Sequence, residues 1–121
     1  MKNDIKKFDE NAMDMMLLEL GFGSYTTGSR YVRAAIRMVF EDVDSRMTKD
    51  IYPTIAKQWN STPARVERAI RHAIENAWLK APVYTKARFF GNSCGPEYDK
   101  PTNGEYIFRL AAELERMARE N

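Results

Sequence analysis

Residues 60–78 limit this chain's options more than any other stretch. The turn-forming run Asn60-Ser61-Thr62-Pro63 leads straight into a segment with no further glycine or proline before Pro82. Thr62 suits the N-cap position, where its hydroxyl accepts from a free N–H of the first turn. Pro63 suits the first helical position, where its missing N–H costs nothing. At about 100° per residue, Val66, Ala69, Ile70, Ala73 and Ala77 share one face of the helix. Arg65, Glu67, Arg68, Arg71, His72 and Glu75 share the other. A long helix with one apolar face must bury that face against other elements, so the segment predicts helix-on-helix packing.

The polar face supports two readings. Arg can bridge two acceptors on a guanine edge, and Glu can accept from the amino group of cytosine, so a helix carrying both near its N-terminus is equipped to read bases. The same residues also suit a solvated face laced by Glu67–Arg71 and Arg71–Glu75 ion pairs. The preceding residues favour the first. Residues 51–59 read as a short helix that buries Ile51, Ile55 and Trp59, with Pro53 in its first turn and the small Ala56 at a close crossing. Asn60 then tolerates the left-handed backbone that a tight turn between helices requires. That order predicts a helix-turn-helix over about residues 48–79.

Composition sets the outer bounds. A chain of 121 residues, 44% hydrophobic and 30% charged, suits one domain with a real core and a solvated surface. Net charge is only +2, so a nucleic-acid surface has to come from local clustering such as residues 65–72. A single cysteine, Cys94, precludes an intramolecular disulfide and fits a reducing cytoplasm. It is expected to be exposed and incidental. There is no signal peptide and no apolar run of about 18 residues, so neither secretion nor membrane spanning is expected. His72 is the only histidine, which leaves too little for a zinc site or a Ser–His–Asp triad. Gly23 and Gly28 build no phosphate-binding fingerprint. No catalytic site, metal or cofactor is expected.

The rest of the chain reads as further helices. Residues 1–8 are charged and expected to fray. A helix over residues 9–20 puts Met13, Met16, Leu17 and Leu20 on one face and ends at Gly21. After a loop over residues 22–28, Ser29 is placed to cap a helix running to about Val43. Its buried side would be Tyr31, Val32, Ala35, Ile36, Val39 and Phe40, with Arg30, Arg33 and Arg37 on an outer edge, free for solvent or phosphates. Residues 44–49 are read as a connector. Pro82 starts a short helix that Gly91 stops, with Phe89 and Phe90 in the core. Thr102 and Glu105 form a capping box that opens the last helix, whose apolar side is Tyr106, Phe108, Leu110, Ala111, Leu114 and Met117. The expected fold is all-α, about six helices around a central helix-turn-helix.

Several runs in this sequence closely resemble the DNA-binding effector domain of the stage-zero sporulation response regulators. They are Tyr52-Pro53-x-Ile55-Ala56-Lys57, Asn60-x-Thr62, Arg65-Val66-Glu67-Arg68-Ala69-Ile70-Arg71-His72-Ala73-Ile74-Glu75, Ala77-Trp78 and Lys100-Pro101-Thr102-Asn103-x-Glu105-Tyr106. The resemblance extends over about residues 13–114 without a gap. It implies a sequence-specific transcriptional regulator of sporulation initiation in the cytoplasm, associated with the nucleoid. Arg65, Glu67 and Arg68 match the family's base-contacting positions. Arg71 and His72 match positions close to the DNA, while Ser61 and Thr62 sit where hydroxyls and a helix N-terminus can hold a phosphate. The implied target is a TGTCGAA-type box, often in tandem, on which two copies would sit head to tail. In the family, the region that includes residues 82–91 contacts the sigma subunit of RNA polymerase, which points to Tyr84, Lys86 and Arg88. This segment departs most from the family pattern, being more basic and aromatic. The chain is also expected to lack the family's phosphorylated receiver domain. The rival reading is a small helical adaptor that binds protein through the Met-rich first helix and residues 84–88.

Overall fold

The computed structural model describes residues 7–23, 25–91 and 100–120, which are helical throughout their regular parts and contain no strand. Six α-helices are present among them: α1 (Glu10–Glu19), α2 (Thr27–Glu41), α3 (Tyr52–Gln58), α4 (Pro63–Lys80), α5 (Val83–Phe90) and α6 (Asn103–Glu120). A π-helical turn, Met47–Ile51, runs directly into α3. Cys94 lies outside the described residues, as do the first six residues of the leader.

α2 is the hub, packed along both α4 and α6, while α3 and α4 pair as the two arms of a helix-turn-helix. The core takes one face from every helix. Met13, Met16 and Leu17 come from α1, Val32, Ala35 and Ile36 from α2, Ile55 from α3, Val66, Ile70 and Ile74 from α4, and Tyr106, Ile107 and Leu110 from α6. Helical spacing along the chain predicted most of these. Ile74 and Ile107 join them.

The helix ends follow their local chemistry. Asp9 caps α1, accepting from the Ala12 N–H at 3.1 Å. The α1 chain then reverses at Gly21, whose φ of 99° is left-handed. Thr102 and Glu105 form the reciprocal capping box at α6, with bonds of 2.9 and 3.1 Å. Pro82 precedes α5 and Gly91 (φ 76°) ends it.

Four expectations are corrected. The cap of α2 is Thr26, whose hydroxyl accepts from the Ser29 N–H at 3.1 Å; the helix starts three residues before the predicted cap would allow and ends at Glu41. Ser29 is buried inside the first turn, because α4 lies against this end of α2 and draws the extra turn into the core. Trp59 is 42% exposed rather than buried, its ring packed edge-on against Tyr31 at 5.6 Å. The connector before the helix-turn-helix is shorter than read, since Met47 already begins helical backbone and the Asp50 carboxylate accepts from the Arg46 N–H at 2.8 Å. Phe8 is docked, its ring edge-on to Phe40 at 5.2 Å and beneath the Arg37 guanidinium at 4.8 Å.

Candidate nucleic-acid interface

The interface begins at the turn. Asn60 adopts φ 53°, the left-handed conformation its side chain tolerates. The Ser61 N–H then donates to the Ala56 carbonyl at 2.8 Å and closes the corner between α3 and α4. The Thr62 hydroxyl accepts from the Arg65 N–H at 3.2 Å, and Pro63 occupies the first turn as its fixed φ favours. Two orphan donors of a helix start are thereby settled, and the start of α4 is held in one orientation.

Two packing contacts seat α4. Its inner face carries Val66, Ile70 and Ile74, all fully buried, beside a stripe of small residues, Ala69, Ala73 and Ala77. Gly28 of α2 rests on the backbone of Ala69, and Gly21 rests on that of Ala77. A methyl group at either glycine would meet a carbonyl oxygen at 2.5 or 2.6 Å, so α4 lies closer to its neighbours than any side chain would allow. With one face held this firmly, the opposite face is fixed in space.

That outer face carries Arg65, Arg68 and His72, all exposed. None of them makes a side-chain hydrogen bond or ion pair with a described residue. Glu67 and Arg71 behave differently. The Arg71 guanidinium donates to both Glu67 carboxylate oxygens, at 2.9 and 3.2 Å, each side chain 38% exposed. Glu75 turns away to Lys100 at 3.6 Å, so only one of the two predicted ion pairs along the helix forms. The N-terminal half of α4 thus presents two arginines not engaged by any described residue beside one self-neutralised pair. Ser61 is half-buried and Thr62 exposed at the same end.

A polar link behind this face had no signal in local spacing. The Asn103 side-chain amide, at the start of α6, donates to the Tyr52 hydroxyl at 3.0 Å and to the Glu67 carbonyl at 3.2 Å. The partners are 51 and 36 residues away in sequence, and only the folded chain brings them together. Burial raises the Tyr52 phenol pKa above its usual value, opposed in part by the bond from Asn103, and the nearby charges of Glu67 and Arg71 add smaller effects of opposite sign.

Other predicted contact residues lie apart from this surface or are engaged within the fold. Arg33 is not on a free edge. Its Nε donates to Asp14 at 2.9 Å, its Nη1 to Ser29, and its guanidinium covers the Tyr25 ring at 4.4 Å. Arg37 pairs with Glu41 at 3.0 Å, and Arg30 remains exposed. In α5, Lys86 donates to the Trp78 carbonyl at 3.0 Å and Arg88 pairs with Glu19 of α1. Tyr84 is 78% exposed, and Leu79 and Val83 at the same corner are exposed too. Phe89 is buried, and Phe90 stacks on Tyr106 at 4.9 Å.

The family model for the C-terminal part of the sporulation initiation factor Spo0A matches residues 13–114, most of the chain. The chain belongs to that family. Family membership makes it a DNA-binding regulatory domain of the sporulation-initiation type, concerned with control of transcription. The match runs from within α1 through most of α6 and includes the whole helix-turn-helix. Among the described residues, no helix is long and apolar enough to cross a membrane.

Proposed function

We propose that this domain binds duplex DNA by inserting α4 in the major groove, with Arg65, Glu67 and Arg68 reading base edges. The observation that carries the reading is the asymmetry of α4: Val66, Ile70 and Ile74 are fully buried, and Arg65 and Arg68 stand opposite with no side-chain partner among the described residues. A guanidinium already bound to a carboxylate has to give up that bond before it can bridge a guanine edge; these two do not. Glu67 can hold Arg71 with one oxygen and accept from a cytosine amino group with the other.

Backbone contacts surround this centre. Ser61 and Thr62 lie at the helix N-terminus, where N–H groups and hydroxyls attract phosphate. Arg71 and His72 flank the reading edge one turn further along. α3 would cross the backbone, as the first arm of such a motif does. The target is a TGTCGAA-type box, and on tandem boxes two copies sit head to tail. Contact with the sigma subunit of RNA polymerase falls to the α4–α5 corner, centred on Tyr84, since Lys86 and Arg88 are already engaged within the fold.

Fluorescence anisotropy tests the proposal. A labelled duplex with one TGTCGAA-type box is compared with a shuffled duplex over a salt series. Specific binding that weakens with salt is expected. Arg68→Ala should cost about 1–3 kcal/mol on the box and little on the shuffled duplex. Equal binding to both duplexes refutes sequence reading by α4. No binding at low salt leaves the protein-binding adaptor as the better account.

A further inference from the structure

We infer that Asn103 is a positioning residue for sequence reading: its one amide group ties the C-terminal helix to both arms of the helix-turn-helix and sets the angle at which α4 is presented. The inference rests on the reading of α4 proposed above.

Three observations carry it. First, Asn103 uses both amide hydrogens, one on the Tyr52 hydroxyl of α3 and one on the Glu67 carbonyl of α4. A single planar group spanning two helices fixes their separation and their relative rotation, which apolar contact alone leaves free to slide. Second, the bond to α4 falls on Glu67, between Arg65 and Arg68, the residues that face outward. A tilt of α4 about its buried stripe would displace those side chains first. Third, Asn103 is itself anchored, because the Thr102–Glu105 capping box immobilises the start of α6 from which it projects.

Loss of the bridge leaves the core intact, since Val66, Ile70 and Ile74 still hold the inner face of α4. Charge attraction to phosphates tolerates a small tilt. Bidentate contact with a base edge does not, because it requires both donors in the plane of the base. The bridge therefore governs preference between sequences more than affinity for DNA in general.

The experiment compares wild type, Asn103→Ala and Tyr52→Phe by anisotropy on the box and shuffled duplexes at one salt concentration, with a thermal melt of each protein. Alanine is well tolerated in the first helical turn, so the capping box survives. Asn103→Ala should weaken box binding about five- to tenfold, the size expected for two lost hydrogen bonds, and shift shuffled binding by less than about twofold. Tyr52→Phe, which removes one bond of the two, should lose about two- to threefold on the box alone. If Asn103→Ala melts below the assay temperature, Tyr52→Phe carries the same test. A merely structural role would lower the melting temperature and reduce binding to both duplexes in proportion; that result, or an unchanged preference, overturns the inference. A wild type that prefers neither duplex overturns the reading of α4 and this inference with it, whereas preference retained in both variants overturns the inference alone.

Discussion

Gly28→Ala sets helix propensity against packing. Gly28 is the second residue of α2, and alanine is the better helix former by up to about 1 kcal/mol, less in a first turn. By propensity the substitution stabilises. The structure reverses the sign. An alanine Cβ at this position falls 2.5 Å from the Ala69 carbonyl oxygen and 2.9 Å from the Ala73 Cβ. Ordinary contact begins near 3.4 Å, so α2 and α4 must part by about 0.9 Å to bring 2.5 Å out to that distance. Neither obstacle can rotate away, because one is backbone and the other is a methyl with no free torsion to relieve the clash. Overpacking of this kind costs about 1–3 kcal/mol, leaving a net loss of about 1–2 kcal/mol. For a domain of this size that is roughly 4–10 °C in melting temperature. The assay is urea unfolding followed by far-UV circular dichroism, with Gly104→Ala as the control. Gly104 lies in α6, and among the described residues its added Cβ meets only the Met47 Cγ at 3.3 Å, an atom of a flexible side chain. Gly104→Ala should match or exceed wild type, and Gly28→Ala should unfold at lower urea with an unchanged slope. A Gly28→Ala midpoint at or above wild type would refute the claim that close helix approach, rather than helix propensity, decides this position.

Three further outcomes are expected. The Tyr106 hydroxyl is buried with no hydrogen-bond partner among the described residues, amid the rings of Phe22, Trp78 and Phe90. An unpaired buried hydroxyl costs about 1–3 kcal/mol, so Tyr106→Phe should raise the melting temperature at neutral pH; a fall would show that the hydroxyl is satisfied. Burial also raises this phenol's pKa above its ordinary 10.0, so above pH 10 the unfolded chain releases protons that the native state retains. Stability should accordingly fall as pH rises past 10, and Tyr106→Phe should flatten most of that fall, leaving the smaller share from Tyr52, which is shifted the same way. Arg33→Ala and Arg30→Ala should separate clearly in urea unfolding. Arg33 is 15% exposed and bonded to Asp14, so its loss should cost about 1–2 kcal/mol, discounted because Asp14 is 34% exposed. Exposed Arg30 should change stability by less than about 0.5 kcal/mol. Equal effects would mean that the Arg33 cluster contributes nothing to the fold.

The sequence by itself determined the helices and most of their caps, because those depend on interactions within a few residues. Thr62, Pro63, Asp9, Gly21, Gly91 and the Thr102–Glu105 pair each act on their own turn of backbone, and each does in the structure what its chemistry requires. The helix-turn-helix was legible for the same reason: Ala56, Asn60, Val66 and Ala69 lie within 14 residues of one another. The tertiary structure decided which outward-looking residues are engaged by distant partners. Arg33 and Arg37 share a helix edge with Arg30 by spacing, yet Asp14 and Tyr25 take Arg33, and the Phe8 ring lies against Arg37. Thr26 replaced Ser29 as a cap because α4 lies against the first turn of α2, an influence from 40 residues away. Trp59 stayed at the surface, where its ring packs edge-on against Tyr31. The link from Asn103 to Tyr52 and Glu67 has no counterpart in periodicity or capping, since a hydrogen bond between distant residues leaves no local pattern. Local energetics propose the elements, and the close approach that Gly21 and Gly28 permit decides how α4 is held.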